Sequence, residues 1–247
     1  MEQVLDFQLE YIEVESDQPV VTAIIVAAGS GRRMGQDKQM MSLLGVPVLA
    51  RTIMAFEHCA IIRDIVVVTR QEAISDVQTL ISTYNFHKII AIVAGGKERN
   101  ESVANGIAAV SNDTVYVAIH DGARPLVTPD EITKVVSVAG ETGGAALAVP
   151  VKDTIKRVDS QHKILETPLR SSLMAMQTPQ VFELGLYKRA LEKNIALGLN
   201  VTDDCQILEN AGYAVYTVEG SYRNLKITTP EDILFAEALL SQEENHD

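Results

Sequence analysis

Residues 22–38, TAIIVAAGSGRRMGQDK, set an apolar run directly ahead of a glycine-rich loop loaded with cations. The run from Ala23 to Ala28 is too short to span a bilayer. Its length and composition suit a strand buried on both faces, as in a parallel sheet. Gly29 and Gly31 permit a sharp turn and close backbone approach, so that N–H groups can point at an anion. Arg32, Arg33 and Lys38 add formal positive charge. A strand ending this way is suited to a polyphosphate. Two common phosphate motifs do not fit. The dinucleotide fingerprint needs its third glycine one residue before Gly35, and the P-loop needs a lysine where Gln36 follows Gly35.

The charge balance narrows the ligand. Formal net charge is −12, which disfavours DNA or RNA and leaves a small anion at one basic loop. A chain of 247 residues with 47% hydrophobic content can bury one sizeable core. No apolar stretch reaches bilayer length, so no membrane partner is expected. Residues 1–20 carry six acids and no Lys or Arg, which reads as an N-terminal extension rather than a targeting signal. A cytoplasmic location and a single domain over residues 21–247 are therefore expected. Cys59 and Cys205 lie far apart without a C-x-x-C, so neither a disulfide framework nor a zinc site is indicated.

Apolar runs predict strands at 22–28, 64–69, 88–94, 114–119 and 145–151. Helical patterns separate them at 47–59, 72–84, 102–110 and from 129 onward. The last of these opens on Thr128-Pro129-Asp130-Glu131, a cap, a first-turn proline and a capping-box glutamate. This alternation predicts an α/β fold with a parallel sheet covered on both faces. In such folds ligands sit beyond the carboxyl ends of the strands. Three polar clusters, Gly29–Lys38, Gly95–Ser102 and His120–Arg124, follow strands directly, so one shared site is expected. Residues 152–177 alternate apolar and charged positions about a polar turn at 159–162, predicting a projecting β-arm with a dimer partner to pack on. Thr178 suits the start of a Thr-Pro turn. Helices are expected at 184–194, 202–211 and 229–241, and strands at 214–218 and 224–227. His120 suits either a packed strand-end residue or a metal ligand; Asp203 and Asp204 suit helix caps or a second metal.

Taken in order, AAGSGRRMG, KQ, GGKERNESV, HDGARP, PVKDTIKR, TPQVF, TDD and NLKITTPED resemble the motifs of the 2-C-methyl-D-erythritol 4-phosphate cytidylyltransferases. The resemblance implies a Rossmann-like, mostly parallel sheet of the nucleotide-diphospho-sugar transferase type, with a β-arm through which two copies form a homodimer. It implies a nucleotidyltransferase that joins CTP to methylerythritol 4-phosphate with Mg²⁺ and releases pyrophosphate. By the same resemblance Arg32 and Lys38 are catalytic. Ala27, Ala28, Gly29, Ser30, Gly31, Gly95, Gly96, Ser102 and Gly122 contact CTP. Arg124, Thr154, Arg170, Thr202 and Lys226 contact the second substrate, and Asp121 holds the metal. Thr154 and Arg170 lie on the arm, where they can serve a partner subunit's site. Ribitol-5-phosphate cytidylyltransferases share several of these motifs, but Pro150–Lys156 matches the methylerythritol enzymes better. A nucleotide-binding sensor without catalysis is the alternative from another class.

Overall fold

A computed structural model describes residues 19–29, 37–199 and 201–244 of the chain. The extension assigned to residues 1–20 lies outside them apart from its last two residues. The first half runs β1 (Val21–Val26), β2 (Ser42–Leu43), β3 (Val46–Pro47), α1 (Val48–Glu57), β4 (Ile62–Thr69), α2 (Ile74–Tyr84), β5 (Ile89–Ala94), α3 (Arg99–Ala108) and β6 (Tyr116–Asp121). The second runs α4 (Pro129–Thr142), β7 (Gly144–Pro150), β8 (Arg157–Val158), β9 (Ile164–Glu166), β10 (Met174–Glu183), α5 (Leu184–Ala196), α6 (Asp204–Ala211), β11 (Tyr216–Glu219) and α7 (Pro230–Glu244).

Seven strands form one sheet in the order β11-β7-β10-β6-β1-β4-β5. All run parallel except β10, which is antiparallel to both neighbours. The central strand shows why its sequence is apolar throughout. Val21, Ala23 and Ile25 of β1 pack on one face with residues of α1, α2 and α4. Ile24 packs on the other with residues of α3, α5 and α6. A strand covered on both faces has no solvated side to carry polar residues. The mostly parallel α/β fold expected from the alternation is therefore present. The capping box of α4 is formed as well: Thr128 Oγ1 accepts from the Glu131 N–H, and Gly143 ends the helix in the left-handed region at φ 81°. A smaller cluster of Leu43, Val48, Ala123, Leu126, Ile227 and Ala236 seats α7 beside the loop that follows β6.

Three boundaries differ from expectation. The β8–β9 hairpin forms the arm, closed by an Arg157–Glu166 pair at 2.8 Å, but the arm does not extend to residue 177. Met174–Glu183 is instead β10, a strand of the main sheet. Its Thr-Pro step suggests a turn, yet the strand absorbs it as a bulge: Met176 faces Ala148 and Gln180 faces Ala146 on β7. Residues 224–227 form no strand, because Asn224 and Lys226 are held by side-chain contacts rather than by a sheet edge. Helix α3 begins at Arg99, three residues earlier than the pattern indicated.

Candidate active site

From β1 the chain moves outward through β4 and β5, then returns to place β6 on the other side of β1. That reversal opens a crevice at the carboxyl ends of the strands. A cleft of about 390 Å³ lies there, bounded by Ala28, Gly29, Lys38, Gln39, Gly96 and Lys97, with Arg99, Ser102, Asp121 and Lys226 completing it. The three strand-end clusters thus converge as expected.

Each turn is tied to the adjacent strand. Ala27 N–H donates to Val68 O at 2.7 Å, Gly95 N–H to Thr69 O at 2.7 Å, and Gly122 N–H to Val26 O at 2.9 Å. Glycine is demanded by close approach. A Cβ on Gly95 would lie 2.4 Å from Ala28 Cβ, and one on Gly96 would lie 2.2 Å from Glu101 Cβ. Gly122 is tighter than usual against Ala27 Cβ and Gln39 Oε1, both 3.1 Å from the missing Cβ. Ser102 Oγ accepts from Gly96 N–H and donates to Glu98 O, each at 3.1 Å, which fixes the Gly95-Gly96 turn on the first turn of α3. Lys38 follows Asp37, whose carboxylate pairs with Arg70 at the end of β4, and Lys38 Nζ donates to Ile227 O at 3.3 Å.

Asp121 ends β6 as the acidic centre of the cleft. Lys226 Nζ stands 2.8 Å from its Oδ2, Arg124 Nε 3.6 Å from the same oxygen, and Arg99 Nη2 3.8 Å from Oδ1. Burial alone would raise its pKa; Lys226, Arg99 and Arg124 outweigh it and hold the carboxyl well below the usual carboxylate range. Arg99 also spans to Asp204 of α6, Nη1 to Oδ2 at 2.6 Å. Asp204 is fully buried and accepts from the Tyr187 hydroxyl at 2.8 Å. Burial pushes the Asp204 carboxyl up and Arg99 pulls it back. Gln180 Oε1, on β10, accepts from the Asp204 and Cys205 N–H groups and so holds the start of α6 against the sheet.

His120 is completely buried, its ring 4.9 Å from that of Phe56. Nε2–H donates to Arg124 O at 3.2 Å, and Nδ1 accepts from the Thr178 hydroxyl at 3.0 Å. That hydroxyl also accepts from Asp121 N–H at 3.0 Å. Burial drops the imidazole to about 3, so it is neutral, and both ring nitrogens are engaged. His120 is a packed residue and not a metal ligand. Thr178 starts no turn; it sits in the β10 bulge and fixes two consecutive residues of β6.

The remaining expectations divide by position. Lys226 lines the cleft. Arg124 is buried behind Asp121 and donates to Asn224 O at 2.7 Å. Thr202 is exposed ahead of α6, with its N–H and hydroxyl on Gln206 Oε1. Thr154 and Arg170 are exposed on the arm and do not line the cleft of their own chain; Arg170 Nη1 donates to Lys152 O at 3.0 Å. Ser30, Gly31 and Arg32 lie outside the described residues. Asp203 is the N-cap of α6, accepting from Gln206 N–H at 3.0 Å. Among the described residues no group of three His, Cys, Asp or Glu is placed to hold a metal, so Asp203 and Asp204 make no second site. Asp121 alone is compatible with a hard cation that completes its shell with water and phosphate oxygens.

Arg99 and Tyr187 were not singled out by sequence, and Asp204, read there as a cap or second-metal residue, is instead the buried partner of both. The available signal for Arg99 was its spacing of three from Ser102, one helical turn, which places both at the same glycine turn once α3 is started early enough.

The IspD family profile, 2-C-methyl-D-erythritol 4-phosphate cytidylyltransferase, matches residues 21–242. A protein of that name from Halalkalibacterium halodurans is 48% identical over 225 residues, covering 90% of this chain and 98% of the relative. One from Bacillus velezensis is 44% identical over 227 residues, covering 90% and 97%. The crystal structure of 4-diphosphocytidyl-2C-methyl-D-erythritol synthase from Anaerococcus prevotii is similar with a TM-score of 0.83 at 31% identity, over 91% of this chain and 97% of that one. The Thermus thermophilus cytidylyltransferase structure gives 0.74 at 29% identity, over 90% and 98%.

Proposed function

The chain belongs to the 2-C-methyl-D-erythritol 4-phosphate cytidylyltransferase family, and from that premise we propose that it transfers CMP from CTP to 2-C-methyl-D-erythritol 4-phosphate. The products are 4-diphosphocytidyl-2-C-methyl-D-erythritol and pyrophosphate, a step of non-mevalonate isoprenoid synthesis. The observation that carries the reading is an ionised carboxylate, Asp121, among Lys38, Arg99 and Lys226 in a cleft bordered by Gly29 and Gly96.

A phosphate oxygen of the acceptor attacks the α-phosphorus of CTP. The bond to the bridging oxygen breaks, and pyrophosphate leaves with the electron pair. The attacking phosphate is already ionised, so no general base is required, and the buried neutral His120 is not asked to be one. Two anions must be brought together, which makes charge neutralisation and in-line orientation the main work of the site. Lys38 and Arg32 take the triphosphate, with the Ala27–Gly31 backbone cradling it. Incoming phosphates compete with Asp121 for Lys226, so that lysine is poised to pass from the carboxylate to substrate. Gly95, Gly96, Ser102 and Gly122 shape the wall for a pyrimidine nucleoside, where a purine would be too large. Asp121 would hold Mg²⁺, which when bound supplies Lewis-acid polarisation of phosphate oxygens.

The same reading assigns Arg124, Thr154, Arg170, Thr202 and Lys226 to the acceptor. It assigns the arm to a homodimer, supported by the exposed Ile164 (58%) and Leu169 (72%) on that hairpin. A cytoplasmic setting is proposed because CTP is drawn from there; among the described residues no helix is long and apolar enough to cross a membrane. The test is pyrophosphate release with CTP and Mg²⁺, run in parallel with methylerythritol 4-phosphate and ribitol 5-phosphate. Release with the first alone is expected; release with ribitol 5-phosphate alone overturns the acceptor assignment.

A further inference from the structure

Residues 220–227, between β11 and α7, form no strand, yet they fasten several parts of the molecule at once. Gly220 N–H donates to Ala148 O of β7 at 3.0 Å, and Ser221 N–H to a carboxylate oxygen of Glu131 at 2.8 Å. Gln177 of β10 donates to Ser221 O at 2.8 Å. Asn224, fully buried, donates to Thr178 O at 2.9 Å, and its own carbonyl receives Arg124. Lys226 then reaches Asp121. Tyr222 sits within this strap at the root of the arm. Its hydroxyl donates to Pro150 O at 2.6 Å, where β7 ends and the chain leaves the sheet. Lys152 Nζ lies 3.4 Å from its ring centroid, over the face. The Lys152 carbonyl accepts from Arg170 on the returning leg.

Tyr222 is 47% exposed, so core packing does not explain its place. Its two contacts are directional: one strong hydrogen bond and one cation over the ring face. Together they grip the outgoing leg at Pro150 and Lys152, and Lys152 passes that grip to Arg170. We propose that Tyr222 is a positioning residue that sets the angle at which the arm leaves the sheet and so aims Arg170 at the phosphorylated acceptor. This rests on the reading above that arm residues bind that phosphate.

The experiment compares wild type with Tyr222→Leu, Tyr222→Phe and Lys152→Arg. Amide hydrogen exchange over residues 151–156 and 167–173 is expected to quicken several-fold in Tyr222→Leu, less in Tyr222→Phe, and not in Lys152→Arg, which keeps a cation over the ring. In steady-state assays Tyr222→Leu should raise the acceptor KM by about tenfold, the size expected for losing one hydrogen bond and one cation–π contact. The CTP KM and the Tm should stay close to wild type, and Lys152→Arg should keep the wild-type acceptor KM. Unchanged arm exchange in Tyr222→Leu overturns the proposal. So does an equal rise in both KM values, which would make the ring a general structural element. A wild type that fails to transfer to the acceptor would sink the functional reading, while the exchange data still decide the role of Tyr222.

Discussion

Three cations meet one carboxylate at Asp121, and both that carboxylate and the buried His120 beside it are held below their ordinary pKa values. Its depressed pKa keeps Asp121 charged at neutral and mildly acidic pH, so acid loss of activity near neutrality does not come from this group. Asp121→Asn keeps the shape but removes the anion shared by Lys226 and Arg124, while Arg99 retains Asp204. Turnover is expected to fall by about 10²–10³, the size typical of losing a key electrostatic contact, with an unchanged far-UV spectrum. A rate within a few-fold of wild type removes Asp121 from the mechanism. His120 is held neutral down to about 3, below the ordinary histidine value, because it is buried. Between those two values the unfolded chain binds a proton that the folded chain does not, so stability falls as pH drops from 6.5. The slope is at most about 1.4 kcal/mol per pH unit. His120→Gln, which can still accept from Thr178 and donate to Arg124 O, should flatten that slope in urea unfolding measured at pH 7 and pH 5.5. Charge was legible at this scale: Lys38 was found because a polyphosphate site needs cations, and Asp121 and Lys226 through the motifs that carry the family resemblance. Asp204 was read as a cap or metal residue, because its actual role depends on burial against Arg99 and Tyr187, which only the folded chain brings together.

Elements were legible where their periodicity was undisturbed. The strands β1, β4, β5, β6 and β7 could be read from apolar runs, and α4 from its cap. Thr128→Ala should cost about 1 kcal/mol in denaturant unfolding without changing kcat, because the capping box lies outside the cleft. Strand β10 escaped because its proline and polar residues imitate a turn, and only its pairing with β6 and β7 reveals a bulged strand. The helix start at Arg99 escaped because Gly95-Gly96-Lys97 obscures the boundary. These two elements meet at the site, since the bulge sets Asp121 through Thr178 and α3 brings in Arg99. The Gly95 turn ties α3 to the end of β4 and packs against Ala28. Gly95→Ala puts a methyl 2.4 Å from Ala28 Cβ and 2.8 Å from Ser102 Oγ, so the two turns must separate. The CTP KM should rise by about tenfold or more, as a displaced binding wall would require, while the acceptor KM changes little. Equal KM values for CTP in variant and wild type would show that this wall does not contact the nucleotide.

For the whole molecule, the decisive fact is that Lys38 and Arg170 belong to one chain but not to one cleft. Lys38 lines the cavity beside Asp121, whereas Arg170 is exposed on the arm with its guanidinium on Lys152 O. Arg170 can serve its own site only if the arm folds back, against the grip of Tyr222 on its outgoing leg. Under the proposed dimer Arg170 would instead reach the cleft of a second copy, and the exposed Ile164 and Leu169 would lie in the interface. A C2 pair would then build two sites, each from one body and the other chain's arm. Complementation separates the two arrangements. Lys38→Ala and Arg170→Ala are each expected to be nearly inactive alone. Mixed in equal amounts after unfolding and refolding, half of the pairs are mixed pairs, and each mixed pair contains one intact composite site. Activity should return to about a quarter of the wild-type level, as expected for random C2 pairing. If the arm acts within its own chain, every site in the mixture still lacks one residue and no activity returns. Sedimentation of the mixture as a dimer, at the same protein concentration, distinguishes that outcome from failure to pair.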